Sequence, residues 1–103
     1  MKETRLRLRK RGSRTEVLVL VKHAMETGTR RDEENRQTVP ADYIDRMIFA
    51  LNGAPVAEAR LGPGVAGDPL TAIALDQVSP GDVVSVSWHD VQGDTGQAEA
   101  VAG

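Results

Sequence analysis

Turn-forming residues interrupt this chain at short intervals, which limits its regular elements to short strands. The breaks occur at Gly12-Ser13, Asn52-Gly53, Gly62-Pro63-Gly64, Asp68-Pro69, Ser79-Pro80-Gly81-Asp82 and Gly93-Asp94. Asn52-Gly53 is the strongest of these signals, because both residues tolerate the positive φ of a type I′ hairpin turn. The spacing of the breaks favours an all-β chain built from hairpins and short connections.

The runs between the breaks have the composition of strands. We predict strands near Arg5–Arg9, Glu16–His23, Arg46–Leu51, Val56–Leu61, Leu70–Leu75, Val83–His89 and Gln97–Val101. About seven short strands at this spacing are typical of an immunoglobulin-like β-sandwich. A length of 103 residues fits one domain, so we expect this fold over residues 1–103. The cysteine pair of antibody domains is missing, so the likeness is to the architecture alone.

The segment Ala41–Leu51 has a second interpretation. Its apolar residues also recur with helical spacing, at Ile44, Met47, Ile48 and Leu51. Pro40 suits a first helical turn. We favour a strand, because Asn52-Gly53 follows at once and Val56–Ala59 can pair back onto it.

The predicted strand Glu16–His23 is apolar on both faces, since Val17, Val19 and Val21 alternate with Leu18 and Leu20. Only one face of each sheet meets the core of a two-layer sandwich. A leucine left in water forfeits about 1.5–3 kcal/mol. The run from Met47 to Leu51 repeats the pattern. We therefore predict a partner surface that includes Leu18, Leu20 and Ile48; the alternative is cover by the loop Ala24–Asp42.

Basic residues are concentrated at the amino-terminal end. Arg5-Leu6-Arg7-Leu8-Arg9 alternates strictly, which favours an edge strand with a solvated basic face. The alternative is a basic arm that binds nucleic acid or an acidic membrane. Of the 13 Lys and Arg residues, the first 14 positions contain Lys2, Arg5, Arg7, Arg9, Lys10, Arg11 and Arg14.

The residues needed for catalysis or metal binding are scarce. Without cysteine there is no disulfide, thiol nucleophile or thiolate ligand. His23 and His89 are the only histidines, and neither belongs to a motif with metal-ligand spacing. No nucleophile-elbow, phosphate-loop or dinucleotide-binding motif occurs, and three aromatic residues make no stacking platform for single-stranded nucleic acid. We expect a binding module that is not an enzyme, with no catalytic residue, metal or cofactor.

The sequence also bears on location. No stretch approaches the roughly 18 apolar residues of a membrane helix. The run Val17–Val21 is too short for the apolar region of a signal peptide. We expect the chain to carry no export signal of its own and not to bind a membrane.

The loop after the second predicted strand begins His23-Ala24-Met25-Glu26-Thr27-Gly28-Thr29-Arg30-Arg31-Asp32 and leads to Val39-Pro40-Ala41-Asp42-Tyr43-Ile44. This segment resembles SoxZ, one half of the SoxYZ sulfur-carrier complex of bacterial thiosulfate oxidation. That family has a His-Pro-Met-Glu-Thr-Gly segment, then a basic pair and Asp, a proline-containing entry to the next strand, and a strand ending in Asn-Gly. The matching positions are His23, Met25–Gly28, Arg30–Asp32, Pro40, Ile44 and Asn52-Gly53. Ala24 replaces the family's usual proline, and Gly67-Asp68-Pro69-Leu70 stands where a small residue, Asn-Pro and an aromatic are expected. The likeness extends through Trp88 and Asp90.

The resemblance implies a heterodimer with a SoxY-like subunit, whose carboxyl-terminal Gly-Gly-Cys-Gly arm carries the sulfur intermediates. It also implies transient contacts with other Sox enzymes and periplasmic work after export as a folded pair on the partner's signal. It implies neither a nucleic acid nor a membrane partner. The rival hypotheses are a nucleic-acid-binding β domain and a generic immunoglobulin-like contact module.

Two hypotheses concern individual residues of the loop. We predict that His23, Met25, Glu26, Thr27 and Gly28 belong to a loop facing the partner or its cysteine arm, where Gly28 supplies a positive φ. We also predict that Arg30 and Arg31 meet an anionic group, because the guanidinium fork suits carboxylates and sulfonates. The alternative for the arginines is a loop whose charges neutralise one another. We assign Trp88 to the core.

Overall fold

The computed structural model describes residues 3–103, in which strands are the only regular elements. Lys2, one of the basic residues noted above, lies outside this range. Among the described residues, no helix is long and apolar enough to cross a lipid bilayer. The strands are β1 (Thr4–Arg11), β2 (Arg14–Val21), β3 (Ile44–Leu51), β4 (Ala54–Arg60), β5 (Leu70–Asp76), β6 (Val83–Asp90) and β7 (Thr95–Val101).

The strands form two antiparallel sheets. One has the order β1-β2-β5 and the other the order β4-β3-β6-β7. The chain passes from one sheet to the other after β2, β4 and β5, which is the Greek-key kind of connection found in immunoglobulin-like sandwiches. The predicted all-β sandwich of about seven strands is confirmed.

The ambiguous segment is a strand. Ile44–Leu51 pairs with β4 on one side and with β6 on the other, so its backbone groups are satisfied between strands rather than within a helix. Asn52 and Gly53 have φ values of 51° and 85°, as the predicted hairpin turn requires. The helical spacing of the apolar residues is a coincidence of a strand with two partly apolar faces.

Alternation along β2 and β6 builds the core between the sheets. Val17, Val19 and Val21 are fully buried, whereas Leu18 and Leu20 are half-buried on the opposite face. Burying each such side chain contributes about 1.5–3 kcal/mol. The buried apolar cluster consists of Val17, Val19, Val21, Met25, Ile44, Met47, Phe49, Val84, Val86 and Trp88.

Trp88 lies at the centre of this core, as predicted. Its Nε1–H donates a 2.8 Å hydrogen bond to Thr4 Oγ1, which ties β6 of one sheet to β1 of the other. On β7, Gly96 lies directly against the indole, where an added Cβ would come within 2.5 Å of the ring. A side chain at position 96 would therefore displace the tryptophan.

Candidate functional site

The connection between β2 and β3 is the longest in the described chain, and backbone hydrogen bonds give it the form of an extended hairpin. Glu26 and Asp42 exchange two such bonds, of 2.7 and 3.0 Å, near its base. Arg31 and Thr38 form a second bridge further out. We call residues 22–43 the β2–β3 loop.

His23 anchors this loop from the inside. The sequence predicted His23 within a strand, but it lies two residues beyond the end of β2, with a side chain that is 0% exposed. Its Nδ1 accepts a 3.0 Å hydrogen bond from the backbone N–H of Met25. Nδ1 must therefore carry the lone pair, so the ring proton is on Nε2. The ring also meets the edge of Trp88 at a centroid distance of 5.8 Å.

The proton on His23 Nε2 is directed at a buried carboxylate. Asp90 Oδ2, at the end of β6, lies 2.9 Å away, and this side chain is also 0% exposed. The other oxygen of Asp90 accepts hydrogen bonds from the backbone N–H groups of Gln92 and Asp94. One carboxylate thus fixes the β6–β7 turn and the root of the β2–β3 loop together.

Asp42 completes a polar cluster with His23 and Asp90. Its Oδ1 lies 3.5 Å from His23 Nε2. The three side chains have the ligand types of a metal site, with donor atoms within 4.8 Å of one another. However, His23 and Asp90, the two fully buried members, are hydrogen-bonded to each other, which explains their burial without an ion. The cluster therefore links the β2–β3 loop to the end of β6.

The same geometry does not favour a catalytic His-Asp pair. A general base needs a free ring nitrogen within reach of a substrate or nucleophile. Here Nε2 faces Asp90, Nδ1 is occupied by the Met25 backbone, and the ring is sealed from solvent. The pair holds the loop in position instead.

Met25 is the second internal anchor. It is 5% exposed, and its Sδ accepts a 3.3 Å hydrogen bond from the backbone N–H of Ile44, at the start of β3. Its φ is 53°, in the left-handed region that residues other than glycine seldom adopt. Such strain persists only where neighbouring contacts hold it, and here the bond to His23 Nδ1 and the sulfur contact do so.

The segment before β5 supports the loop root from the other side. Asp68 Oδ1 accepts a 3.0 Å hydrogen bond from the His23 N–H, and the Asp68 N–H donates to the His23 carbonyl at 2.8 Å. Asp68 occupies the position where the SoxZ resemblance leads one to expect asparagine. Since a carboxylate oxygen accepts this hydrogen bond as an amide oxygen does, that departure keeps the contact.

The outer side of the loop is polar and carries a tight ion pair. Arg30 Nη2 lies 2.7 Å from Glu26 Oε1, and Arg30 Nε contacts both carboxylate oxygens at 3.1 Å. The hydrogen bonds from Arg30 hold the pKa of Glu26 below its ordinary value, and Glu26 raises the pKa of Arg30. Arg30 is thus already neutralised locally, as the alternative hypothesis for the arginines states. The prediction that it meets an external anion stays a prediction.

The remaining loop residues named from the sequence are Thr27, Gly28 and Arg31, and none of them is buried in the core. Thr27 and Arg31 are exposed. Gly28 has the predicted positive φ, 87°, and packs against Ala41, whose Cβ would lie 3.1 Å from an added Cβ. The structure therefore divides the set into two layers: His23 and Met25 inside, and Glu26, Thr27, Arg30 and Arg31 outside. In this conformation the inner two act on a partner only through the loop that they hold. Contact between the loop and a partner stays a prediction.

Sequence reasoning missed three residues that build the site: Asp42, Asp68 and Asp90. His23 and Asp90 are 67 residues apart, so no motif spacing could pair them. A sequence signal does exist: His23, Asp68 and Asp90 all lie at or near the ends of predicted strands. Strand ends that lie at the same end of a sandwich bring such side chains close together.

The predicted partner-surface residues fall on two different faces. Leu18 and Leu20 point outward from the three-stranded sheet, and Ile48 points outward from the four-stranded one; all three are half-buried. The β2–β3 loop contributes nothing to the groove that holds Leu18 and Leu20. Cover by this loop, the alternative weighed from the sequence, therefore does not account for these two leucines.

The basic amino-terminal strand is partly neutralised. Arg9 contacts Glu16 at 2.6 Å, Arg5 contacts Glu3 at 2.9 Å and Arg14 contacts Asp76 at 3.1 Å. A nucleic-acid arm gains its affinity from free cations. These pairs favour the edge-strand interpretation over the nucleic-acid one.

Comparison with known families finds one match that spans almost the whole chain. The family model described as "Sulphur oxidation protein SoxZ" matches residues 3–101. A search of curated proteins gives no significant match. The match includes both layers of the β2–β3 loop together with all seven strands.

Proposed function

Because this chain belongs to the SoxZ family of sulfur oxidation proteins, we propose that it is the non-catalytic subunit of a SoxYZ-type sulfur carrier in thiosulfate oxidation. Its role is to hold and orient a SoxY-like subunit whose carboxyl-terminal cysteine bears the sulfur intermediates. The pair docks transiently with other Sox enzymes. It works in the periplasm, where it arrives with its partner.

One observation carries this proposal beyond family membership: the functional loop is built to present a fixed surface rather than to react. The histidine is sealed between Asp90 and the Met25 backbone. The outer side of the loop offers the exposed polar groups of Thr27 and Arg31 next to the Glu26–Arg30 pair. A preorganised loop of this kind binds a partner at little entropic cost. None of these 103 residues is a cysteine, so none of them supplies a sulfur-bearing thiol.

The test is isolation of the native complex. The chain, tagged and expressed in its source cells during growth on thiosulfate, is purified under non-reducing conditions, and the captured proteins are weighed intact. We expect a stoichiometric partner with a glycine-flanked cysteine at its carboxyl terminus, heavier than its bare sequence by sulfur or thiosulfate adducts that a reductant removes. Capture without any such protein would contradict the proposal.

A second measurement separates the carrier from the nucleic-acid alternative. The carrier predicts no affinity for DNA or RNA at physiological salt. Binding that falls steeply as salt rises, with a slope set by the number of phosphates contacted, would favour the alternative instead.

A further inference from the structure

We propose that the outer face of the β1-β2-β5 sheet, and not that of the four-stranded sheet, is the surface that docks the cysteine-bearing subunit. The occupant is an apolar patch of that subunit with a carboxylate at its edge. This inference rests on the proposed function. We call the surface formed by Leu18, Leu20, Leu70, Arg5 and Arg7 the leucine face.

Strand register places the leucine face in one continuous patch. Leu20 is directly opposite Leu70 on one side and Arg5 on the other. Leu18 is opposite Arg7 and, on β5, the small Ala72. Directly opposed residues of antiparallel strands share a face. The groove between these side chains has a volume of about 520 Å³ and is open to solvent.

The apolar part of this face is exposed to a degree that calls for an explanation. Leu70 is 68% exposed, the largest value among the exposed large hydrophobic residues of the described chain. Contiguous apolar surface rimmed by polar groups marks interaction sites in soluble proteins. The exposed Leu70 and its half-buried neighbours Leu18 and Leu20 therefore mark this face as a candidate interaction site.

Charge determines what chemistry the occupant needs. Arg7 stands between Arg5 and Arg9 on the outer face of β1. Those two neighbours pair with Glu3 and Glu16. Within residues 3–103, no acidic group is paired with Arg7. A guanidinium beside an apolar groove matches a carboxylate at the edge of an apolar patch.

The same charge pattern argues against an anionic membrane as the occupant. Lipid-binding surfaces gather about four to eight uncompensated basic residues. Here two of the four outward arginines of β1, Arg5 and Arg9, are already compensated within the chain. Of the other two, only Arg7 lines the groove, where a single protein carboxylate can pair with it.

The four-stranded sheet has no comparable contiguous patch, because its exposed large hydrophobics, Val56 and Val101, lie on β4 and β7, the two opposite edge strands. Ile48 is directly opposite Ser87 on β6 and Glu58 on β4, so its cross-strand neighbours are polar. The shallow groove beside it is lined by Ser85, Ser87, Gln97 and Glu99 along with small apolar residues. Polar neighbours thus surround Ile48, whereas Leu20 is directly opposite an exposed leucine, Leu70.

The experiment compares variants on the two sheets for affinity toward the copurified cysteine-bearing subunit, measured by titration calorimetry with the full-length chain. Leu70→Asp and Arg7→Glu should each weaken binding about tenfold or more, because a docked leucine and a paired arginine are typical hot spots. Arg7→Lys should weaken it less than Arg7→Glu. Both sites are exposed, so folding is preserved, and Trp88 fluorescence checks it.

Matched controls lie on the other sheet. Val101→Asp replaces a side chain that is 66% exposed, close to the value for Leu70. Arg60→Glu replaces an exposed arginine of β4. Both should leave affinity within about twofold. Strong binding that the controls weaken and the leucine-face variants do not would overturn the docking inference while leaving the proposed function standing.

The remaining outcomes are also decisive. If the wild-type chain binds no cysteine-bearing subunit, the proposed function fails and the docking inference fails with it. If the wild-type chain binds vesicles of anionic lipid, and Arg7→Glu abolishes that binding while leaving the subunit affinity unchanged, the face is a membrane surface and the docking inference is wrong.

Discussion

At the scale of single residues, the carboxylate of Asp90 has the most consequences for the site. It accepts hydrogen bonds from the Nε2–H of His23 and from the backbone N–H groups of Gln92 and Asp94. The Nε2–H of His23 is fully buried and depends on this acceptor, whereas the two backbone N–H groups are only partly buried. A buried donor without an acceptor costs about 1–3 kcal/mol. The residue therefore stabilises both the β6–β7 turn and the β2–β3 loop.

We expect Asp90→Ala to lower the free energy of unfolding by about 2–4 kcal/mol, because it leaves the buried His23 proton without its 2.9 Å acceptor. Asp90→Asn retains an acceptor oxygen and should cost less. Urea denaturation measures both. The control is Asp76→Ala, which removes an exposed partner of Arg14 and should cost less than about 1 kcal/mol. Equal losses for Asp90→Ala and the control would contradict the role given to Asp90.

At the scale of elements, side chains fix the turns that the backbone alone would leave loose. The β3–β4 hairpin turn is tied to the connection between β5 and β6 through Asn52, whose Oδ1 accepts from the Val83 N–H and whose amide donates to Asp82. Asp82 Oδ2 also accepts from the Ser79 N–H at 2.9 Å. Two distant turns at one end of the sandwich thus share one small network.

The pKa of Asp82 is lowered from its ordinary value by the hydrogen bond from the Ser79 backbone and then by that from Asn52. Because the folded pKa is below the unfolded one, the stabilisation is fully present above the unfolded pKa and is lost as pH falls through the folded pKa. A carboxyl ¹³C titration should give a midpoint below that of an unfolded reference peptide. Asn52→Ala should move the midpoint part of the way back up; an unchanged midpoint would show that the Asn52 hydrogen bond is not formed.

At the scale of the whole molecule, the two sheets share one buried apolar cluster, and Trp88 belongs to it. The indole meets His23 at its edge, lies against Gly96 and donates to Thr4. Those contacts come from the β2–β3 loop and from strands of both sheets. Loss of any one of these elements therefore changes the surroundings of this side chain.

Since Trp88 is the only tryptophan, its fluorescence reports on the junction of the sheets. We expect fluorescence and far-ultraviolet circular dichroism to give coincident unfolding transitions in urea, because a core shared by both sheets couples their stabilities. A fluorescence transition that clearly precedes the loss of strand signal would contradict this coupling. It would mean that the sheets separate before either one unfolds.

The sequence by itself determined the elements and their inward faces. Valine at alternate positions of β2, the turn at Asn52-Gly53 and the core position of Trp88 follow from local preferences and from the cost of leaving apolar area in water. Only tertiary structure decided the rest. It excluded the helical alternative for Ala41–Leu51, since strand pairing satisfies that backbone.

It also turned His23 and Met25 inward, and it joined His23 to an aspartate 67 residues away. The reason is physical: periodicity reports which face of one strand is apolar, but a hydrogen bond between distant loops depends on how two sheets stack. The apolar outer face of β2 was visible in the sequence. That Leu70 and the arginines of β1 join it in one patch was decided by register alone.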